Sequence, residues 1–339
     1  MPDIGALTLV GLAVLVGLHL GKVARRAGLP SLIGFLVTGA IAGPSALGFF
    51  TRDLLDGLSF ITQIALGFVA FTIGSELSMS SMRRLGRSIV VIIFGECFLA
   101  FGLVAIAVYA VTGDLAMGLI FGAMAPASAP AGTVAVIQEY RARGDLTRAL
   151  YAVVGFDDGL AILIYGFAAA FARSLLVGEA SGASQGLLSS MADPATELGL
   201  SFVVGGALGV VYVFLQRRLR HGADVPALTF GFVAVASGLA ERMGLSLILV
   251  NMMIGFVLAN ARGSNAVPAV SKQLRPLMPL LFVLFFFLAG AHLEIGQLGA
   301  LGLIGAVYIL GRSAGLLLGA WSASVLTRAQ EKIRKYLGF

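Results

Sequence analysis

The sequence has little charge, almost no cysteine and few histidines, and each shortage excludes a class of protein. Charged residues make up 12% of the 339 residues and hydrophobic residues 58%, whereas soluble globular domains carry about 25% charged residues. The single cysteine, Cys97, excludes an intramolecular disulfide. The three histidines are isolated, and no phosphate loop, nucleophile elbow or Cys/His cluster occurs. We therefore expect no cofactor, no bound structural metal and no enzymatic activity.

What the sequence does contain is a series of long apolar runs, which predicts an all-α polytopic membrane protein with the lipid bilayer as its surroundings. We predict eleven crossings, at about 4–23, 31–49, 58–79, 87–111, 114–138, 146–172, 195–216, 225–241, 244–261, 274–293 and 297–326.

The distribution of basic residues supports that number. Of the 23 Lys and Arg residues, 19 fall on one side of the predicted membrane, three (Arg52, Arg173 and Arg242) fall on the other, and Arg312 lies inside a crossing. The positive-inside rule then predicts that the N-terminus is outside and that the residue-339 end is cytoplasmic. Because the net charge of +6 records this topology, it does not indicate a nucleic-acid partner.

The chain divides into two predicted halves, 1–176 and 195–339, joined by a Gly/Ser-rich external linker at 177–194. An offset of 216 residues pairs Gly28 with Gly244, Gly39 with Gly255 and Gly74 with Gly290. The paired crossings are separated by an odd number of helices, so the halves have opposite orientation. Such an inverted repeat is common in secondary transporters.

The same offset relates the two intramembrane charges Glu96 and Arg312. Residues related by a two-fold pseudo-symmetry can meet near its axis, so we predict that these two form an ion pair. The pair either takes part in function or only fixes helix packing, and removing one partner strands a buried charge in both cases.

The fifth crossing contains two prolines four residues apart, Pro126 and Pro130, with Ser128, Gly132 and Thr133 beside them. Each proline removes a backbone donor and obstructs the preceding turn. We predict a helix broken around 122–133 rather than a simple kink. Unwound backbone at this depth is tolerated where it lines a cavity, and its carbonyls can coordinate cations.

The next crossing carries adjacent carboxylates, Asp157 and Asp158, within an apolar run. A charge in the hydrocarbon interior is costly and is by default a hypothesis of a functional site, although neutralisation by neighbours is the simpler alternative. Adjacent helical residues point about 100° apart. One carboxylate can therefore meet a protein group while the other faces a water-filled cavity.

Three stretches resemble the cation:proton antiporter superfamily, the sodium/hydrogen exchangers of the aspartate-pair type. They are Gly28–Gly34 with Gly43-Pro44, Ala125–Ile137, and Val154–Gly159. The resemblance implies a six-helix ion-carrying core beside a dimerisation panel, hence a homodimer, in a prokaryotic inner membrane. It also implies that Asp158 is the main cation- and proton-binding carboxylate and Asp157 its neighbour in the ion site, and that Ser128 and Thr133 of the unwound crossing are further ion-binding residues.

The sequence departs from the family pattern in two respects. Family members with an aspartate pair often have a membrane lysine in a Gly-Lys-x-x-Gly setting, whereas the matching stretch here, Gly315 to Gly319, has none; Arg312, about one turn earlier, could substitute. The family also has thirteen crossings. The 216-residue offset places the missing counterparts beyond Phe339, so we expect a C-terminally truncated fragment rather than a protein that works with half its core.

These observations predict exchange of Na⁺ or K⁺ for protons. An apolar interior disfavours a charged carboxyl, so Asp158 would hold either a proton or a cation, and alternating access would carry whichever is bound. One alternative is a sodium-coupled organic-anion symporter of related fold, for which Arg312 is the only membrane cation. Another is an intramembrane aspartyl protease, which needs aspartates from two helices.

Overall fold

A computed structural model of the chain describes residues 5–177, 186–219, 222–261 and 266–338. Regular structure in these ranges is helical. The α-helices are α1 (Ala6–Arg26), α2 (Ser31–Ala42), α3 (Arg52–Gly57), α4 (Ser59–Glu76), α5 (Met79–Thr112), α6 (Leu115–Met124), α7 (Pro130–Glu139), α8 (Asp145–Val177), α9 (Gly186–Gln216), α10 (Val225–Met243), α11 (Leu247–Asn260), α12 (Ala266–Leu274), α13 (Met278–Ala291), α14 (Ile295–Leu326) and α15 (Glu331–Tyr336).

Each predicted crossing coincides with one of these helices or with a helix pair. In the described ranges, seven helices are long and apolar enough to cross a membrane, and an eighth span results if the bent pair Val267–Leu274 and Met278–Ala291 counts as one. The apolar helices α2, α6 and α11 are shorter. The polytopic helical fold is therefore confirmed, whereas the number of eleven crossings stays a prediction. Of the predicted linker at 177–194, residues 178–185 lie outside the described residues, and α9 begins at Gly186.

Short polar side chains and a glycine mark several helix ends. Asp114 accepts a hydrogen bond from the backbone N–H of Met117 at 3.0 Å and so caps α6. Ser246 caps α11 in the same way through Leu249 at 3.3 Å. Gly244 ends α10 at a φ of 64°, a left-handed conformation in which glycine is the least strained residue.

The inverted repeat is visible in the packing of four glycines. A side chain added at Gly39 of α2 would collide with the carbonyl oxygen of Phe287 on α13, and its repeat equivalent Gly255 of α11 meets Phe71 on α4 in the same way. Gly290 against Leu36 and Gly74 against Met252 form the second equivalent pair. The 216-residue offset thus relates whole helix–helix contacts, in which small residues let two backbones approach closely.

The helices form two bundles. We call α1, α2, α4, α10, α11 and α13 the panel bundle and α5, α6, α7, α8 and α14 the core bundle. Apart from α7, each set packs mainly within itself; α7 packs on α8 but also on α2 and α4 of the panel bundle, and it is assigned to the core because it continues the broken helix of α6. In the core bundle α5 crosses α14 through glycines, with Gly319 against the backbone of Glu96 and Gly315 against Ala100. Helix α9 packs on both α11 and α8, and so lies between the bundles.

The two ends of the bundles differ in charge. One end, which we call the basic end, carries Arg25, Arg141, Arg143 and Arg148 at helix termini and in loops. The opposite end carries Arg52, which pairs with Glu294 at 2.6 Å.

Candidate functional site

The fifth crossing is a broken helix, as predicted, with narrower bounds than the 122–133 expected. Helix α6 ends at Met124 and α7 begins at Pro130, so residues 125–129 are non-helical. Pro130 occupies the first turn of α7, where its missing N–H costs nothing. Pro126 and Ser128 lie in the unwound stretch. Gly132 and Thr133, predicted to lie within it, are already helical.

Arg312 and Tyr308 of α14 satisfy the carbonyls that the break leaves free. The Arg312 Nε donates to the carbonyl of Ala125 at 3.0 Å, and its terminal nitrogen donates to that of Ala127 at 2.5 Å. One turn earlier on the same face, the Tyr308 hydroxyl donates to the carbonyl of Met124 at 3.3 Å. A cation at the C-terminal end of α6 also interacts favourably with the helix dipole. The unwound stretch is thus held by the opposite repeat.

The predicted Glu96–Arg312 ion pair is not formed. Arg312 instead donates to the backbone carbonyls of Ala125 and Ala127, and ion pairs among the described residues include Arg25 with Glu139, Arg52 with Glu294 and Arg148 with Asp145.

The register of the antiparallel helices α5 and α14 explains why the two charges miss each other. Gly319 faces Glu96 and Gly311 faces Val104. Arg312 therefore lies near the level of Val104, eight residues or about 12 Å along α5 from Glu96 at 1.5 Å per residue. Two repeat-equivalent residues meet only at the point where α5 and α14 cross, which is near Ala100. Glu96 lies on one side of that point and Arg312 on the other.

The aspartates lie in the first half of α8. Asp157 is twelve residues from the start of the helix, or about 18 Å at 1.5 Å per residue, which is close to the middle of a hydrocarbon layer about 30 Å thick. The Asp157 side chain is fully buried, with 0% exposure, and Asp158 is half-buried.

One oxygen of each carboxyl has no hydrogen-bond donor within the described ranges. Asp157 Oδ1 accepts a hydrogen bond from the backbone N–H of Asp158 at 2.8 Å. Asp157 Oδ2 and Asp158 Oδ2 are both buried and accept no hydrogen bond from the described residues. Buried acceptors without partners are rare in native structures and call for an explanation, such as a bound ion or water.

The two aspartates face different surroundings. Ser128 of the unwound stretch lies beside the Asp157 carboxyl, and the acidic groups of Asp158 and Glu96 lie within electrostatic reach of it. Cys97, buried on α5, neighbours the same carboxyls. Asp157 thus points into the core bundle. The sequence places no lysine in the core helices, and the guanidinium of Arg312 is engaged with carbonyls.

Asp158 flanks the face of α8 that meets the panel bundle. That face is marked by Gly155, where an added Cβ would lie 3.1 Å from both Ile73 of α4 and Met252 of α11, and by Gly159 one turn on. Residues three apart on a helix are neighbours on its surface, so Asp158 lies close to the boundary between the bundles. The arrangement offers hard oxygen donors to a cation, with one carboxylate inside the core and one at its edge.

The sequence predicted the two aspartates and the broken helix, but not the side chains of α14 that bind the carbonyls of the unwound stretch. The Tyr308–Arg312 spacing of four residues was the available signal for a polar face on α14.

The comparisons with known proteins agree with this geometry. The profile described as sodium/hydrogen exchanger, transmembrane, matches residues 10–333. The glutathione-regulated potassium-efflux system protein KefC of Cronobacter sakazakii is 27% identical over 310 residues, which are 88% of this chain and 46% of that protein. K(+) efflux antiporter 5 of Arabidopsis thaliana is 23% identical over 275 residues, 79% of this chain and 46% of that protein. The chain therefore spans a little under half the length of these relatives.

The same fold occurs in a solved structure of the sodium proton antiporter MjNhaP1 from Methanocaldococcus jannaschii. The superposition has a TM-score of 0.71 at 22% identity and covers 98% of this chain and 81% of that one. A second structure of MjNhaP1, from electron microscopy, gives a TM-score of 0.76 at 21% identity, with 98% and 80% covered. This family is one of membrane transporters. With its inverted repeat, its broken helix and its aspartate pair, the chain belongs to the sodium/hydrogen exchanger family.

Proposed function

We propose that this protein exchanges a monovalent cation, Na⁺ or K⁺, for protons, and that Asp158 binds the two in competition. The observation that carries the proposal is the pair of buried carboxylate oxygens, on Asp157 and Asp158, for which the described part of the chain supplies no hydrogen-bond donor. A cation or a proton satisfies such an oxygen, and an apolar site cannot easily leave it charged and empty.

The arrangement in two bundles supports alternating access as the mechanism. Asp158 lies on the face of the core bundle that borders the panel bundle, so a relative movement of the two would open it to one side and then to the other. Asp157 and Ser128 would move with the core and supply further oxygen atoms to the ion. The names of the relatives, a sodium proton antiporter and two potassium-efflux proteins, make Na⁺ and K⁺ the first cations to test.

The test is proton flux in proteoliposomes loaded at acid pH with a pH-sensitive dye. Adding Na⁺ or K⁺ outside should alkalinise the lumen with the wild-type protein and not with Asp158→Asn. Asp145→Asn is the matched control, because Asp145 lies on the same helix but is exposed and pairs only with Arg148 at 3.3 Å. Undiminished flux in Asp158→Asn would refute the proposal.

A sodium-coupled organic-anion symporter is the second candidate. Arg312, the only membrane cation foreseen for holding an anion, is engaged with the carbonyls of Ala125 and Ala127, which argues against it. Uptake of a labelled organic anion, without cation-driven proton flux, would favour this candidate over antiport.

The assembly and the orientation are part of the same proposal. The protein would act as a homodimer in the inner membrane of a prokaryote, with its basic end in the cytoplasm. Labelling with a membrane-impermeant maleimide should reach Asp56→Cys in intact cells and Arg143→Cys only after permeabilisation, and the reverse pattern would invert the orientation. A monomeric mass in native mass spectrometry would exclude the dimer.

A further inference from the structure

At the basic end, where α7 packs on α2 and α4, the glutamate Glu139 makes hydrogen bonds from the core bundle to the panel bundle. Glu139 is the last residue of α7, the second half of the broken helix. Its Oε2 accepts a hydrogen bond from the backbone N–H of Ser31 at 3.0 Å, and its Oε1 accepts one from the Ser31 hydroxyl at 2.8 Å. The Nε of Arg25 lies 3.8 Å from Oε1. Ser31 begins α2 and Arg25 is near the end of α1, so all three partner groups belong to the panel bundle.

The position of Glu139 on its own helix is unfavourable. A carboxylate at the C-terminal end of α7 faces the negative end of the helix dipole, whereas the same carboxylate at the N-terminus of α2 is stabilised. Helix α2 needs such an acceptor, because its N-cap residue is Pro30, which supplies no side-chain cap. The Glu139 side chain is only 13% exposed. If the core moved away from the panel, this carboxylate would lose its hydrogen-bond partners on α2 and would remain at the negative end of the α7 dipole.

A longer-range charge interaction crosses the same boundary, here with the carboxylate on the panel bundle and the arginines on the core bundle. Glu76 ends the panel helix α4, and Arg148 and Arg143, at the start of α8 and just before it, lie within electrostatic reach of it. Charges of both signs therefore draw the bundles together at the basic end.

We propose that the contact of Glu139 with Ser31 and Arg25 is a conformational latch, which holds the core against the panel in this conformation and must open and re-form in every transport cycle. The inference rests on the proposed function, because a latch matters only if the bundles move. A charge-assisted hydrogen bond is about twice as strong as a neutral one. Neutralising Glu139 should therefore shift the ratio of latched to open protein by about tenfold.

Cross-linking tests whether the latch must open. Ser31→Cys with Glu139→Cys, joined by a short bifunctional methanethiosulfonate, should stop cation-driven proton flux, and reductant should restore it. The control is Ser45→Cys with Leu293→Cys, a pair that touches through a 2.8 Å hydrogen bond between two parts of the panel bundle. Cross-linking that control should leave the flux unchanged. The native Cys97 is fully buried and so does not compete for the reagent. Full flux through the cross-linked 31/139 protein would overturn the latch.

A distance measurement separates failure of the latch from failure of the proposed function. Spin labels on Arg26→Cys and Ala142→Cys, both exposed and near the contact, report the gap in the reconstituted protein by double electron–electron resonance. We expect two distance populations whose ratio changes about tenfold in Glu139→Gln and not in Glu331→Gln, an exposed glutamate on α15. A single distance that Glu139→Gln leaves unchanged would overturn the latch whether or not the protein exchanges ions. If the protein shows no cation–proton exchange but still has two distance populations whose ratio changes in Glu139→Gln, the latch is supported and only the proposed function is contradicted.

Discussion

At the scale of the residue, the two aspartates differ because they are adjacent. A helical step of about 100° turns Asp157 towards Ser128, Cys97 and Glu96 inside the core bundle, where it is fully buried. The same step leaves Asp158 at the edge of the face that meets the panel. One carboxylate can thus add charge to the site while the other exchanges its ligand.

Replacing Asp157 with Asn should weaken cation binding more than it slows turnover. The amide oxygen can still accept the hydrogen bond from the Asp158 N–H, so the local fold is kept while one negative charge is lost. Two unit charges about 8 Å apart interact by about 2 kcal/mol at an effective dielectric constant of about 20. We expect the KM for the transported cation to rise roughly tenfold or more. An unchanged KM in the flux assay would show that Asp157 is not part of the ion site.

At the scale of the element, the broken helix is held by two side chains of the other repeat, of which Arg312 makes the shorter hydrogen bonds. Arg312 bridges the carbonyls of Ala125 and Ala127 with two nitrogen atoms. Lysine keeps the charge but is a point donor that cannot reproduce the planar fork.

Arg312→Lys should therefore destabilise the protein by about 2 kcal/mol, the value of a hydrogen bond from a charged donor, and lower the melting temperature in detergent by several degrees. Tyr308→Phe removes only the 3.3 Å bond to Met124 and serves as the milder control. Equal melting temperatures for wild type and Arg312→Lys would mean that the unwound stretch is held in some other way.

The close helix contacts of the two repeats give a symmetric prediction. Gly39→Ala would push a methyl group into the carbonyl of Phe287, and Gly255→Ala would do the same at Phe71. Overpacking of this kind costs about 1–3 kcal/mol. Both variants should melt several degrees lower and by similar amounts, measured by intrinsic fluorescence. Gly102→Ala, where an added methyl group meets nothing within 4 Å, should be neutral or slightly stabilising because alanine favours a helix. A marked difference between the Gly39 and Gly255 variants would contradict equivalent packing.

At the scale of the whole molecule, periodicity and symmetry could be predicted from the sequence, whereas partnerships between distant side chains could not. Apolar runs located the helices, two prolines located the break, and a numerical offset located the repeat. The Glu96–Arg312 ion pair was predicted wrongly, because symmetry equivalence says nothing about how far each residue lies from the axis. The docking of Glu139 on Ser31 was missed because it depends on how two bundles meet.

The competition at Asp158 is the central claim, and proton release on cation binding tests it most directly. Purified protein in weakly buffered detergent, at a pH where the carboxyl is protonated, should release up to about one proton per chain when Na⁺ or K⁺ is added. Asp158→Asn should release none, while Asp145→Asn should behave as the wild type. Cation binding without proton release in the wild type, or equal release in Asp158→Asn, would contradict the account.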